Sequence, residues 1–220
     1  MELVEPIRSK EKIEEMKETL GYTKENATNK QYLEAQRNRF LFVFGINIGL
    51  RISDIVRLKL SDLLDENANV KSHLEIKEQK TNKYKKIRIN SGLAKEIEEY
   101  TRALLYIKYE IVFDRIKTEQ EMKEKYNEIR ETTYLFFSNK GGHLTRIQAY
   151  RILSSVAEKC GISNFGSHSL RKTFGYWHYK QDGDIVVLME LFNHSAPSVT
   201  LRYIGLNQDI LDNKMDNFFL

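Results

Sequence analysis

Apolar residues recur at helical spacing through most of the chain. Residues 9–20 place Ile13, Met16 and Leu20 on one face, and this spacing predicts an amphipathic helix. The second half of a helix predicted over 29–49 is apolar all round, which is typical of a central core helix. Further helices are predicted over residues 54–58, 92–117, 145–159, 167–180, 184–192, 195–203 and 207–220.

The middle of the chain changes to a period of two. Leu74 and Ile76 alternate with polar residues, and so do Ile87 and Ile89. Because residues 80–83 between them are typical of a turn, the pattern predicts a β-hairpin. A third short strand is predicted over 134–137. The expected fold class is mainly α with a small antiparallel β-sheet (α+β).

Length and composition fit one folded unit. The chain has 220 residues, of which 41% are hydrophobic and 30% charged, values typical of a globular domain. We expect one domain over 1–220, with 1–28 as an N-terminal helix and lead-in. The predicted helix over 207–220 has an apolar stripe that has to dock, either on its own domain or on a neighbouring copy.

Several protein classes are excluded by simple features. No apolar run reaches the roughly 18 residues of a membrane span. The single cysteine, Cys160, excludes a disulfide framework and fits a reducing compartment. The five histidines lack the paired Cys/His spacing of a zinc site. We therefore expect a cytoplasmic protein with no metal site.

Positive charge is concentrated locally although the net charge is only +4. The hairpin region, 71–90, has seven basic residues and two acids, and 138–151 has three basic residues and no acid. Such clusters are typical of a nucleic-acid face, but charge alone equally allows a solvated lysine-rich hairpin. The candidate DNA-binding residues are Lys83, Lys85, Lys86, Arg146, Arg151 and Lys172.

Arg51 is the first candidate for chemistry. It follows directly on the apolar helix, so its guanidinium is expected to be partly desolvated. A desolvated arginine needs an anion, and its planar fork matches a carboxylate such as Asp54 or a bound phosphate equally well. The sequence leaves both alternatives open.

Two further clusters contain basic side chains. Lys80 lies in the predicted hairpin turn, from which its ammonium could reach DNA or a leaving oxygen; Lys83 and Lys85 are rivals for that task. His168 and Arg171 are three residues apart at a predicted helix start, where backbone N–H groups also favour anions. Alone, a His-x-x-Arg pair is as well explained by a surface contact.

His194 and Tyr203 form the last cluster. His194 precedes a predicted helix, and Tyr203 lies about two turns along it. Tyrosine has a free pKa of about 10 and becomes a useful nucleophile only where cations stabilise the phenolate or a base accepts its proton. Tyr176 is a rival nucleophile, although its position beside Trp177 is better explained by core packing.

Together these clusters contain the parts for phosphoryl transfer without a metal. Guanidinium groups can hold the non-bridging oxygens and stabilise the charge of the transition state. Histidine or lysine can move protons, and tyrosine can supply the attacking oxygen. Since phosphoryl transfer depends mainly on positioning and electrostatics, fixed cations can replace magnesium in it.

The order of these motifs resembles the tyrosine recombinase (phage integrase) family over essentially the whole chain. The motifs are Gly-Leu-Arg-Ile-Ser-Asp at 49–54, a lysine in a hairpin turn, His-Ser-Leu-Arg at 168–171, and Asn-His-Ser with Thr-Leu-Arg-Tyr-Ile between 193 and 204. The resemblance implies a phosphate bound by Arg51 and Arg171 with His168 and His194. It also implies Lys80 as general acid, Tyr203 as nucleophile, and Asp54 as the acid that braces the first arginine.

The chain departs from the family pattern at three points. Asn193 stands where glycine is common, and Lys172 where histidine often follows the second arginine. Only 28 residues precede the predicted core helix, so we expect no separate core-binding domain.

The resemblance implies a site-specific recombinase or integrase that cleaves and rejoins DNA through a 3′-phosphotyrosyl intermediate and needs no cofactor. The implied partners are double-stranded DNA at a specific recombination site, further copies of the chain in a tetramer, and accessory DNA-bending proteins. The implied location is the nucleoid in the cytoplasm. Two alternatives stay open: a type IB topoisomerase-like enzyme, and a catalytically silent DNA-binding regulator.

Overall fold

The computed structural model describes residues 4–113 and 117–206, with residues 212, 215, 216 and 218 as isolated positions. The predicted helix over 207–220 therefore lies outside the described residues, apart from those four. The elements in chain order are α1 (Lys10–Gly21), α2 (Asn29–Ile48), α3 (Ile52–Ile55), α4 (Leu60–Leu63), β1 (His73–Lys77), β2 (Tyr84–Arg88), α5 (Ser91–Phe113), α6 (Glu119–Thr132), α7 (Arg146–Lys159), α8 (Ser169–Asp182), α9 (Ile185–Phe192) and α10 (Pro197–Tyr203).

The predicted fold class is confirmed. The described residues are mostly helical and include one antiparallel hairpin, in which Leu74 pairs with Ile87 and Ile76 with Lys85. A side-chain cap explains where α1 begins, because Ser9 accepts a hydrogen bond from the N–H group of Lys12. None of the described helices is long and apolar enough to cross a membrane.

Two local predictions were wrong. Residues 134–137 do not extend the sheet: Tyr134 and Phe137 make isolated bridges to Lys59 and His143, because these short stretches pair with loops and not with the hairpin. The short helix predicted over 54–58 begins at Ile52, with Arg51 as its N-cap residue. Helix α6, for which no element was predicted, buries Tyr126 and Ile129 on one face.

Helix α2 lies at the centre of the main core. Phe40 and Phe44 are buried on one face of it and Phe42 on the opposite face, and α1, α3, α5, α7 and α8 pack around it. A helix enclosed in this way has no solvent face to keep polar, which accounts for the apolar second half predicted from the sequence.

A smaller core joins α8, α9 and α10. It contains Leu188, Phe192 and Ile204, and Trp177 packs against both this cluster and the main core. This packing joins α8, which contacts α2, to α9 and α10.

Two glycines allow α2 and α8 to approach closely. A Cβ atom at Gly45 would lie 2.5 Å from Leu170, and one at Gly49 would lie 2.6 Å from the ring of Phe174. Gly49 also ends α2 at φ +67°, a left-handed conformation that favours glycine. The close approach places Arg51, two residues after Gly49, beside the first turns of α8.

Candidate active site

The structure brings the two predicted arginines to one carboxylate. Arg51, at the start of α3, places Nη1 2.9 Å from Oε1 of Glu78. Arg171, on α8, places Nη1 3.6 Å from the same oxygen. Glu78 is completely buried and follows strand β1. Residues more than ninety positions apart in sequence therefore surround a single anion.

Three more side chains contact Glu78. Nζ of Lys85 lies 3.5 Å from Oε1. The Thr81 hydroxyl donates to Oε2 over 2.7 Å, and Nδ2 of Asn193 donates to the same oxygen over 3.2 Å. We call Arg51, Arg171, Lys85, Thr81 and Asn193 the donor cluster. Burial alone would raise the pKa of Glu78, but the Thr81 hydrogen bond and the charges of Lys85, Arg51 and Arg171 outweigh it and lower the pKa.

The predicted brace of Arg51 by Asp54 is corrected by this geometry. The carboxylate that pairs with Arg51 is that of Glu78, whereas buried Asp54 pairs with Arg57 at 3.2 Å. Asp54 also accepts a hydrogen bond from the backbone N–H group of Gln79 over 3.0 Å. Asp54 thus links α3 to the hairpin turn, next to Glu78.

The last residue of α9, Phe192, contacts the guanidinium of Arg171. Its Nη2 donates to the carbonyl oxygen of Phe192 over 3.4 Å, and its guanidinium lies 4.6 Å from the centre of the Phe192 ring. Nη1 is buried without a hydrogen-bond partner and faces Glu78. The guanidinium is therefore fixed in place with one donor available on the side of the cluster.

Tyr203 meets the first predicted histidine. Its hydroxyl lies 3.2 Å from Nδ1 of His168, the residue that precedes α8. The Tyr203 ring also contacts those of His194 and Phe192, with centroids 5.2 and 5.3 Å away. The rival Tyr176 is buried in the smaller core, as packing beside Trp177 predicts.

The surroundings favour the neutral form of both members of this pair. Burial raises the pKa of Tyr203, and the positive charges of Arg171 and Arg51 oppose that shift. Partial desolvation lowers the pKa of His168, and the charges of Arg171, Arg51, Lys172 and Lys80 lower it further. A neutral imidazole with its proton on Nε2 can accept the tyrosine proton at Nδ1.

His194 is oriented by its own helix. Nδ1 lies 3.0 Å from the hydroxyl of Thr200, which is fully buried in α10. Desolvation lowers the pKa of His194, as do the charges of Arg171, Arg51 and Lys85. The helix predicted over 195–203 begins two residues later, at Pro197, with Ala196 as its N-cap residue.

Lys80 and Lys85, two of the candidates for contact with DNA or a leaving oxygen, lie in different surroundings. Lys80 is exposed in the turn, and its charge contributes to lowering the pKa of His168. Lys85, predicted as a DNA-binding residue, turns inward instead. Its side chain is 10% exposed and donates to the carbonyl oxygen of Leu191 as well as pairing with Glu78.

The other predicted DNA-binding residues lie mostly on the surface. Lys83 is exposed, with Nζ 3.5 Å from Oδ1 of Asn193, and Lys86 is exposed but paired with Glu75 at 2.8 Å. Arg146 and Arg151 are exposed on α7. Lys172 donates to the carbonyl oxygen of Val4 over 2.7 Å, and its ammonium lies 5.4 Å from the centre of the Tyr203 ring.

Sequence reasoning missed Glu78, Thr81 and Thr200 as members of the site. The period-two pattern contained a signal for the first of them: Leu74, Ile76 and Glu78 have the same parity, so an inward Glu78 follows if the alternation continues past the strand end. Nothing comparable distinguishes Thr81 or Thr200.

The arrangement is suited to an anion with several oxygens. Guanidinium, ammonium, hydroxyl and amide donors converge on one point, and a tyrosine hydroxyl with a neutral imidazole lies beside them. Within residues 4–113 and 117–206 and the isolated positions, no group of three or more His, Cys, Asp or Glu side chains is placed to hold a metal ion.

The chain is similar to proteins of one family. The model of the phage integrase family matches residues 14–209. The probable integrase/recombinase YoeC of Bacillus subtilis is 41% identical over 210 residues, which cover 95% of this chain and 93% of YoeC. The tyrosine recombinase XerH of Campylobacter jejuni is 26% identical over 177 residues, which cover 80% of this chain and 43% of XerH.

A solved structure confirms the predicted fold. The XerH site-specific recombinase bound to palindromic difH substrate, in a post-cleavage complex, matches with a TM-score of 0.66 at 21% identity. The match covers 95% of this chain and 51% of the XerH chain. The chain thus spans nearly all of YoeC but only about half of the length of these XerH proteins.

Proposed function

Because the chain belongs to the phage integrase family, we propose that it is a site-specific DNA recombinase that acts through a 3′-phosphotyrosyl intermediate. The observation that carries the proposal is the position of the Tyr203 hydroxyl, 3.2 Å from Nδ1 of His168 and beside the two arginines that meet at Glu78. A nucleophile, a base and fixed cations are the groups that this reaction needs.

In the proposed cleavage step, Arg51 and Arg171 hold the non-bridging oxygens of the scissile phosphate. The Tyr203 oxygen attacks phosphorus as its proton passes to Nδ1 of His168. The bond from phosphorus to the 5′ oxygen breaks, and Lys80 gives that oxygen a proton. Attack by a 5′ hydroxyl of a second strand reverses these transfers and releases the tyrosine.

The proposed substrate is duplex DNA at a specific site, since exposed Lys83 places Nζ 3.5 Å from Oδ1 of Asn193 in the donor cluster and Lys80 is exposed in the same hairpin turn. We extend the proposal to assembly as a tetramer on that site with accessory DNA-bending proteins, and to action at the nucleoid. Solved relatives described as bound to DNA support the choice of substrate.

The test is covalent capture on a nicked duplex that carries the recombination site, identified first by selection of bound sequences. The wild-type chain should form an adduct that survives denaturant and yields a phosphotyrosyl peptide that contains Tyr203. Tyr203→Phe should bind the same DNA with unchanged affinity and form no adduct, because it keeps the ring and loses the attacking oxygen.

Tyr176→Phe is the matched control. Tyr176 is buried in the smaller core, and this variant should form the adduct at the wild-type rate. An adduct from Tyr203→Phe would identify another nucleophile. Tight binding by the wild-type chain with no adduct on its selected site would support a silent DNA-binding regulator.

A further inference from the structure

Glu78 is an anion at the point where the phosphate would be bound. Its side chain has no solvent exposure, and its two oxygens take contacts from all five members of the donor cluster. Arg51 and Arg171, which the proposed function assigns to a phosphate, both direct Nη1 to one carboxylate oxygen.

The hairpin turn presents this carboxylate in a defined way. Glu78 continues the inward face of β1, and its backbone N–H group bonds to the carbonyl oxygen of Lys83 over 3.0 Å. The adjacent Gln79 N–H group is tied to buried Asp54. These two hydrogen bonds fix the turn to the hairpin and to α3, with the carboxylate directed at the arginines.

A carboxylate does not use all the donors of the cluster. Nη1 of Arg171 lies 3.6 Å from Oε1, beyond hydrogen-bonding distance, and is buried without another hydrogen-bond partner. A buried donor left in this way is costly. A phosphate has more oxygens, arranged as a tetrahedron, and guanidinium groups bind phosphate and carboxylate with the same fork. The cluster is thus better matched to phosphate than to the carboxylate it holds.

We propose that Glu78 is an internal competitor of the scissile phosphate, a carboxylate that neutralises the donor cluster and has to withdraw when a phosphate binds there. The identity of the phosphate rests on the proposed function. Two anions that share Nη1 of Arg51 would repel each other at close range, so binding of one disfavours the other. Glu78 thereby lowers the affinity of the site for phosphates in general.

The test uses inorganic phosphate as the probe and does not depend on DNA cleavage. Binding to the full chain is measured by titration with ³¹P NMR or calorimetry at constant ionic strength. Glu78→Gln keeps the shape and removes the charge, and it should bind phosphate at least about tenfold more tightly than wild type. In the cleavage assay the same variant should form its adduct at lower DNA concentration.

Glu75→Gln is the matched control. It removes the same charge from the same hairpin, but Glu75 is exposed on the outer face and pairs with Lys86. It should leave phosphate affinity within about twofold of wild type, since exposed charges are screened. An equal gain in both variants would show a general charge effect and overturn the proposal.

Glu78→Asp gives a second measurement if Glu78→Gln does not fold. It keeps every donor of the cluster and the charge but shortens the side chain by one methylene, which draws the carboxylate away from Nη1 of Arg51, so it should raise phosphate affinity by a smaller factor. Unchanged or weaker phosphate binding in folded Glu78→Gln would overturn the proposal and show that Glu78 only positions the arginines. If Glu78→Gln binds phosphate more tightly but the wild-type chain forms no adduct, Glu78 is still a competitor of phosphate, and the proposed recombinase function is wrong.

Discussion

Arg51 and Arg171 reach the same carboxylate from different surroundings. Arg51 leaves 18% of its side chain exposed, whereas Arg171 leaves 4% and is backed by Phe192. Arg171 is therefore preorganised by the packing of α8 against α9, and Arg51 depends more on its ion pair. Because a fixed donor keeps its full effect in the transition state, the geometry of both guanidiniums should matter as much as their charge.

Replacement of either arginine by lysine should abolish most of the cleavage. A lysine keeps the charge but cannot reproduce the planar fork, so Arg51→Lys and Arg171→Lys should each lower the rate of adduct formation by roughly 10²-fold or more. Arg39→Lys is the control, because Arg39 contacts both oxygens of Glu96, at 2.6 and 3.0 Å, away from the donor cluster. Near-normal cleavage by Arg51→Lys would mean that this arginine only forms a structural ion pair.

The lowered pKa of His168 predicts the direction of the pH dependence. His168 accepts a proton only when neutral, so the cleavage rate should fall as pH decreases through its pKa. Since desolvation and nearby cations lower that pKa, the midpoint should lie below the ordinary value of about 6.5. The measurement is a single-turnover pH profile of adduct formation.

Lys172→Met identifies the titrating group in that profile. The charge of Lys172 contributes to lowering the pKa of His168, so its removal should move the midpoint to higher pH. Lys180→Met, an exposed lysine that lies over the ring of Tyr176, should leave the midpoint unchanged. A wild-type midpoint above the ordinary value, or no difference between the two variants, would exclude His168 as the base.

Among the secondary-structure elements, the contact between α2 and α8 positions the site. Gly45 and Gly49 face Leu170 and Phe174 along one stripe, so the two helices approach where a side chain would separate them. Arg51 follows the end of α2 and therefore lies in the donor cluster, which Arg171 reaches from α8. The contact between α2 and α8 in this way sets the distance between the two arginines.

Gly49→Ala should therefore cost both stability and cleavage. Gly183 ends α8 with φ +69° and has no atom within 4 Å of an added Cβ. Gly183→Ala thus reports the backbone strain alone, about 1 kcal/mol of unfolding free energy. Gly49→Ala adds the clash with Phe174 and should cost about 1–3 kcal/mol more. Equal losses of stability in denaturant titrations would refute the close-packing argument.

Across the whole molecule, charge follows the chain in blocks. The region 95–131, which includes most of α5 and α6, has ten acids and eight bases, while 71–90 has seven bases and two acids. Of the lysines in the hairpin, Lys83 and Lys86 are exposed and Lys85 is turned inward. The hairpin therefore presents fewer charges to a DNA backbone than its sequence suggests.

The double variant Lys83→Ala/Lys86→Ala should weaken DNA binding across sequences. Each phosphate contact that is lost removes about 0.9 from the slope of log affinity against log salt, so the slope should fall by up to about 2. Lys95→Ala/Lys123→Ala removes the same charge from α5 and α6 and should leave the slope unchanged. Equal slopes in both double variants, measured by fluorescence anisotropy, would place the hairpin away from DNA.

Most of the helices and the hairpin could be predicted from the sequence, and so could the candidate residues of the proposed reaction. Period and caps are local properties, so α1, α2 and the hairpin were predicted within a few residues of their observed ends. The motifs around Arg51, Arg171 and Tyr203 were recognisable because each is a short run with a known order. Asn193 was noted as a departure from glycine, and at φ +56° it shows why both residues fit there.

Which side chains contact one another could not be predicted from local sequence patterns. Lys85 and Glu78 were present in a basic segment, but their burial depends on α9 and on the α2–α8 contact, which are distant in sequence. The partner of Arg51 is Glu78 and not Asp54, although Asp54 is only three residues away. An ion pair is chosen by the direction of side chains and by desolvation, and both are set by packing between distant elements.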